Sequence, residues 1–353
     1  MKILLVQDHL RSGGTERQTL LLARGFAFAG HAVTLLTFRP GGQLASTLAG
    51  AGIEHKVLQS SDLGLDWFAP GLTRTAAAID PNIILCMGRM ANSYAGRLQS
   101  HCPRAVVIGT LRTGKPLPWL FRRSLSRVRH LIANSRAAGS LLTGRYGVPA
   151  DKITVIHNSL VFTPDAAAAA PRAATPLTLL NVAMFRPEKN QRGLIELCRQ
   201  LPAGLDWRLI LAGNGPTLAS CRDFAARSGV GDRVDFRGFT PNPAALYREA
   251  DVAVLTSQSE SLPNFLCEAQ AHGLPVVAYD VGGVGECFVP GSSGFLIPNG
   301  DQAAFLARLT ELLQDAGLRA RFSTAARGHA LENFDPTRQI RRYLDLFARV
   351  VSA

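Results

Sequence analysis

Glu260-Ser-Leu-Pro-Asn-Phe-Leu-Cys-Glu268 sets two carboxylates eight positions apart around a Pro-Asn turn. Ahead of it runs Val252-Ala-Val-Leu-Thr256, an apolar stretch of the length of a buried parallel strand. Glu260 ends the loop after that strand. Pro263 suits a helix start, because its missing N–H would have no intrahelical partner there. A helix is therefore expected from near Asn264, with Glu268 about one turn inside it. The first N–H groups of such a helix, at residues 264–266, point toward the loop and form an anion site. Two carboxylates beside that helix end suit a ligand with both hydroxyls and phosphates. A plain strand–turn–helix corner with solvated glutamates has the same spacing, so the spacing alone leaves both readings open.

The eighteen residues that follow shift the balance between them. Gly273-Leu-Pro-Val-Val-Ala-Tyr-Asp280 reads as a helix stop, a buried strand and an acidic strand end, and Val281-Gly-Gly-Val-Gly-Glu286 adds a glycine-rich loop. Together, residues 257–286 resemble the donor-binding signature of retaining glycosyltransferases, family 4 in particular. The resemblance implies the GT-B fold: two Rossmann-like, doubly wound parallel-sheet domains facing across a cleft, with a C-terminal helix returning to the first domain.

A chain of 353 residues suits two such domains. With 47% hydrophobic and 18% charged residues it is globular rather than disordered. The six cysteines are scattered, with no C-x-x-C pair and no metal-ligand spacing, as expected of reduced core residues in a cytosolic protein. Met1-Lys-Ile-Leu-Leu-Val6 is too short an apolar run for a signal peptide, and no stretch approaches a membrane span. The net charge of +12 is uneven: residues 1–165 hold 19 Lys+Arg against 8 Asp+Glu, and residues 166–353 hold 19 against 18. The excess is densest at Arg112, Lys115, Arg122, Arg123, Arg127 and Arg129, around Pro116-Leu-Pro-Trp-Leu-Phe121. Cations mixed with Trp119 and Phe121 fit either an interfacial segment on an anionic membrane or a solvated basic helix face. Nucleic acid is disfavoured, since neither zinc-finger spacing nor an RNA-recognition signature is present.

Strands and helices alternate from the start. Strands are expected at Ile3–Val6, Ala32–Thr37, Glu54–Leu58, Ile83–Cys86, Ala105–Ile108 and His130–Ala133, with a helix over Glu16–Ala29. The Pro/Ala-rich stretch 163–177 reads as a linker, after which strands resume at Leu177–Val182, Arg208–Ala212 and Arg233–Phe236. The linker sets a domain boundary near residue 165, and the resemblance implies an acceptor-binding domain at 1–165, a nucleotide-sugar domain at 166–335 and a returning helix at 336–353. The helical pattern over Glu332–Val351 is broken at Pro336.

Residue by residue, the resemblance implies the following site. Ser12-Gly-Gly-Thr15 would face the donor diphosphate, with Gly13 and Gly14 letting the backbone approach. Val182-Ala-Met-Phe-Arg186-Pro-Glu-Lys189 carries Lys189 at the family lysine, while Met184 stands where an Arg is usual and Arg186 lies two residues on. Arg186 and Lys189 would neutralise the departing diphosphate. Gly213 and Asn214 would lie near the nucleotide, and the backbone from Arg237 to Phe239 would read its base. Glu268 would take the ribose hydroxyls, Glu260 the sugar, and Leu262, Pro263, Asn264 and Phe265 the sugar hydroxyls and distal phosphate. Arg112, Lys115, Trp119, Arg122 and Arg123 are the acceptor- or membrane-side candidates.

Two departures stand out. Asn158-Ser-Leu-Val161 replaces the usual Asn-Gly-Val/Ile-Asp, so a structural role is expected for Asn158. The His that many members carry after the strand at 105–108 is absent, where Gly109-Thr-Leu-Arg112 follows instead. No cofactor and no metal are expected, since the chain lacks an Asp-x-Asp triplet. The implied activity is a retaining, nucleoside-diphosphate-sugar-dependent hexosyltransferase, acting in the cytoplasm or at the inner membrane face on a lipid-linked or surface-glycan acceptor. A nucleotide-sugar epimerase of the same fold, or a decayed sugar-nucleotide-binding protein, is the alternative.

Overall fold

The computed structural model describes residues 1–48, 50, 52–160, 175–240 and 243–352. The expected linker therefore lies, over its residues 163–174, outside the described residues. The chain divides into two units, Met1–Val161 with Asp335–Ala353, and Phe162–Phe334.

The first unit holds a seven-stranded sheet of β1 (Lys2–Gln7), β2 (Ala32–Thr37), β3 (Glu54–Val57), β4 (Ile83–Cys86), β5 (Val106–Leu111), β6 (His130–Ala133) and β7 (Ile153–Val155). Its order is β3-β2-β1-β4-β5-β6-β7, and every pairing is parallel. Strands covered on both faces must be apolar throughout, which is why β4, Ile-Ile-Leu-Cys, is wholly buried. One core cluster gathers Leu4, Val6, Ile84, Leu98 and Phe121; another gathers Ile3, Leu5, Leu35, Phe26 and Ile108.

The pattern broken at Pro336 proves to be two helices, Ala316–Asn333 and Pro336–Ser352, with the proline as the first residue of the second. That last helix belongs to the first unit. Tyr343 and Phe347 pack on Phe26 at ring-centroid distances of 6.0 and 5.4 Å. Gly25, in the helix Gly14–Phe28, makes the approach feasible, because a Cβ there would overlap the Ile340 side chain.

The second unit holds β8 (Leu177–Val182), β9 (Trp207–Ala212), β10 (Val234–Gly238), β11 (Val252–Leu255), β12 (Val276–Asp280) and β13 (Gly294–Pro298), in the order β10-β9-β8-β11-β12-β13 and again all parallel. Each sheet winds outward one way and then the other, so its order reverses at one point: between β1 and β4, and between β8 and β11. Crevices at the carboxyl ends of the strands beside such a reversal are where doubly wound sheets take ligands. All six cysteines are buried and free.

Candidate functional site

In the second unit the reversal puts the loop after β8 beside the loop after β11. Pro187 opens a single 3-10 turn, Pro187–Lys189, and Asn190 (φ 52°) leads into the helix Gln191–Arg199. The two loops are stitched together. Thr256 Oγ1 donates to the Asn190 carbonyl (3.1 Å), Asn190 Nδ2 to the Thr256 carbonyl (3.3 Å), and the Gln258 N–H to the Glu188 carbonyl (2.8 Å). Lys189 Nζ then meets Glu260 Oε1 at 2.6 Å, with the two side chains 23% and 8% exposed. The pair uses one carboxylate oxygen; Oε2 receives no hydrogen bond among the described residues. Arg186, half-buried at the head of the same turn, has a guanidinium with no bond among the described residues. The crevice therefore joins a satisfied ion pair to one uncommitted cation.

Glycines bring the surrounding loops this close. A Cβ on Gly213 (φ 141°) would overlap the Ala183 carbonyl oxygen, and one on Gly282 (φ 56°) would overlap that of Glu260. The Gly213 N–H donates to the Gly238 carbonyl (2.7 Å), and the Phe185 N–H to the Asn214 carbonyl (2.9 Å). The nucleotide-side glycines thus first serve backbone-on-backbone packing, which no larger residue permits.

The helix after Pro263 runs over Asn264–Ala271, and no side chain caps its start. Leu262, Pro263 and Phe265 are buried, while Asn264 is half-buried. Glu268 is 7% exposed, and its Oε2 accepts the Tyr247 hydroxyl at 2.5 Å. Tyr247 stacks between Phe265 and His272, with centroids at 6.2 and 4.8 Å, and His272 Nδ1 lies 2.9 Å from the Glu268 carbonyl. Sequence reasoning missed Tyr247, which stands 21 residues before Glu268 in a short helix with no periodic link to it. It also missed Ser257 Oγ and Gln191 Oε1, buried beside the crevice with no partner among the described residues. Arg237 spends its guanidinium on Asp235 (2.5 Å) and Glu249 (3.0 Å), and Phe239 is half-buried.

In the first unit, Gly13 caps the helix Gly14–Phe28 in an extended conformation, and neither Gly13 nor Gly14 has a positive φ. Gln18 clamps Ser159, taking its N–H at Oε1 (3.1 Å) and donating from Nε2 to its carbonyl (2.6 Å). Arg112 differs from the expectation of a ligand-side cation. Its Nη1 donates to Asn158 Oδ1 (2.5 Å) and its Nη2 to the Tyr343 hydroxyl (2.6 Å), tying the end of β5 to the returning helix. Asn158 is buried in that contact, as a structural residue would be. Lys115 and Arg122 lie on the basic run, and Trp119 is 61% exposed with the Arg123 guanidinium 5.3 Å from its ring centroid. Among the described residues no cluster of His, Cys, Asp or Glu is built to hold a metal, and no helix is long and apolar enough to cross a membrane.

Residues 12–160 match the family model described as Glycosyltransferase Family 4, and residues 164–329 match Glycosyl transferases group 1. The D-inositol 3-phosphate glycosyltransferase of Thermobispora bispora is 34% identical over 57% of this chain and 51% of its own length. The chain spans about half the length of the curated relatives it matches. The crystal structure of Anabaena Alr3699/HepE in complex with UDP-glucose superposes with a TM-score of 0.82 at 22% identity, covering 98% of this chain and 99% of that one. The lipopolysaccharide outer core galactosyltransferase WaaB superposes with a TM-score of 0.77 at 17% identity, covering 99% and 100%. At these identities the two structures show a shared fold.

Proposed function

We propose, for a chain whose two halves together place it in glycosyltransferase family 4 with the GT-B type of fold, that it moves a sugar from a nucleoside-diphosphate sugar to a glycan or lipid-linked acceptor with retention of configuration. The observation that carries this reading is the Lys189–Glu260 pair beside the uncommitted Arg186, at the strand-order reversal of the second unit. Arg186 and Lys189 offer positive charge to a leaving diphosphate, and Glu260 keeps one oxygen for a sugar hydroxyl. Glu268, oriented by Tyr247, suits a ribose diol, because a carboxylate accepts two hydroxyl protons at once.

On this reading the protein provides position and charge rather than a covalent nucleophile. The bond from the anomeric carbon to the diphosphate breaks, and the acceptor oxygen bonds to that carbon from the same side. The acceptor's proton goes to a phosphate oxygen. No divalent metal enters the scheme, because the two cations perform the neutralisation. A UDP-sugar is our first choice of donor, supported by the HepE complex with UDP-glucose. A glycan acceptor is supported by the lipopolysaccharide-directed WaaB. A cytoplasmic protein held peripherally at the inner membrane face is part of this reading, and Trp119 and Leu120, exposed within the basic run, support the membrane contact.

The test is calorimetric titration with UDP-, GDP-, ADP- and dTDP-sugars, with and without Mg²⁺, followed by product analysis. One donor should bind saturably and independently of metal, with its sugar unchanged until an acceptor is added. Conversion to a different sugar nucleotide without acceptor would replace this reading with an epimerase. Unchanged donor affinity in Glu268→Ala would sink the ribose assignment. Co-sedimentation with phosphatidylglycerol vesicles, lost in Trp119→Ala, tests the membrane contact.

A further inference from the structure

The first unit has a strand-order reversal of its own, between β1 and β4, and what stands there is a carboxylate. Asp8 follows the last residue of β1 and is 8% exposed. Its Oδ1 accepts from Gln7 Nε2 (2.6 Å) and from the His9 N–H (3.3 Å). Thr19 Oγ1, whose single proton lies between the Thr15 carbonyl (2.9 Å) and Gln7 Oε1 (3.2 Å), sits beside the amide oxygen, and the Gln7 NH₂ faces Asp8. Across the reversal, Gly88 caps the helix Arg89–His101, and a Cβ there would overlap both the Asp8 carboxylate and the Gln7 amide. The carboxylate thus lies directly on an α-carbon that only glycine leaves open. Both side-chain and neighbouring-amide bonds fall on Oδ1, so Oδ2 has no side-chain donor among the described residues.

The charges nearby are already matched. Arg39 holds Asp62 through two bonds (2.7 and 2.9 Å) and Asp66 through a third (2.6 Å), and Arg11 pairs with Asp66. Two guanidiniums face two carboxylates, which leaves Asp8 as surplus negative charge. Burial raises the pKa of Asp8, and Asp66 adds to the rise, against Arg11 and the local backbone N–H groups. His9 repeats the imbalance of acceptors over donors. Its Nε2 lies 3.2 Å from the Pro40 carbonyl, which only accepts, so Nε2 carries the proton and Nδ1 a lone pair. That Nδ1 is buried with no partner among the described residues.

A carboxylate oxygen that takes none of the side-chain bonds around it, on a largely buried residue whose neighbouring guanidiniums are spent on other carboxylates, is open to an O–H donor and repels phosphate. We propose that Asp8 Oδ2 binds a hydroxyl of an uncharged saccharide, so that the first unit selects the neutral, hydroxyl-bearing end of the sugar acceptor. The inference rests on the glycosyl-transfer reading for its choice of ligand. The competing explanation is purely structural, with Asp8 only bracing Gln7 and the His9 amide.

The experiment follows the Asp8 carboxyl carbon by NMR in the full chain labelled at aspartate, with the resonance assigned by its loss in Asp8→Asn. Methyl α-glucoside, methyl α-galactoside and myo-inositol are added without any donor, each beside a phosphorylated counterpart. At least one neutral probe should shift the resonance saturably, more strongly than its phosphorylated form, and Asp8→Asn should weaken that binding about tenfold or more. Asp8→Glu provides the assignment if the Asn variant does not fold. No shift from any neutral probe, a stronger response to the phosphorylated forms, or undiminished saccharide binding in Asp8→Asn overturns the proposal. Since no nucleotide is present, failure here is distinct from failure of the donor titration, which reads nucleotide-sugar binding.

Discussion

The two sheets reverse their strand order in the same way, yet the residues at the two reversals leave charge of opposite sign. Beside β8 and β11, Lys189 satisfies Glu260 and Arg186 is left over as a cation. Beside β1 and β4, Arg11 and Arg39 are consumed by Asp62 and Asp66, and Asp8 is left over as a carboxylate. Winding topology fixes where a crevice opens, because two neighbouring strands send their crossovers to opposite faces there. It says nothing about what enters. The leftover charge decides that, and the comparison implies an anionic group at one reversal and hydroxyls at the other.

The strongest attempt to break this contrast is Lys189→Ala. It removes charge from the diphosphate position and strands the nearly buried Glu260, so the transfer rate should fall by about 10²–10³-fold. Wild-type turnover in this variant would remove the second unit's reversal from the chemistry. Next comes Gly282→Ala, in which strain and collision act together. Its backbone is left-handed and its Cβ would strike the Glu260 carbonyl, so urea unfolding should report a loss of about 2 kcal/mol or more. Gly30→Ala is its control: φ is also positive, at 83°, but no atom lies within 4 Å of the new Cβ, and the cost should be only about 1 kcal/mol. Equal losses at the two sites would mean that the loops do not pack as tightly as described.

A smaller effect is expected from Tyr247→Phe, which deletes the hydroxyl on Glu268 Oε2; about 1.5 kcal/mol of stability should go. Donor affinity should fall with it if Tyr247 orients that carboxylate, and affinity unchanged beside lost stability would reduce Tyr247 to a core residue. The mildest probe is pH. Burial lowers the pKa of His9, His55 and His130, all in the first unit. Their unfolded forms take up protons first, so the stability they contribute is present above about pH 6.5 and lost as pH falls below it. Asp62, held at about 2 by Arg39, adds stability that is lost only in much stronger acid. An unfolding midpoint for the first unit that is flat from pH 7.5 to about 5.5 would contradict the histidine shifts.

Much of the fold was legible because it is local. Continuous apolar runs such as Ile83–Cys86 become buried parallel strands, and the helix after Pro263 starts where the missing N–H allows it. At Pro336 the sequence showed an interruption, while the structure shows a proline used as a starting residue, which gives the last helix the freedom to leave the second unit's fold for the first. The candidate site was legible only as separate pieces. Arg112 looked like a member of a basic surface, and nothing near it in the chain foretold that Tyr343, 231 residues away, would take its guanidinium.

By itself the sequence determined the alternation of strands and helices, the place of the glycines, the excess of cations in the first half, the presence of Glu260, Arg186 and Lys189 in loops that follow strands, and that of Glu268 about one turn inside the next helix. Those properties depend on periods of a few residues and on the backbone limits of Gly and Pro. Tertiary structure alone decided that Lys189 pairs with Glu260 across 71 positions, that Tyr247 orients Glu268, and that Asp8 settles on Gly88 with one oxygen to spare. Partners of that kind are chosen by which strands become neighbours in a sheet. That choice is settled by the burial of whole layers, and it leaves no mark in the few residues around either partner.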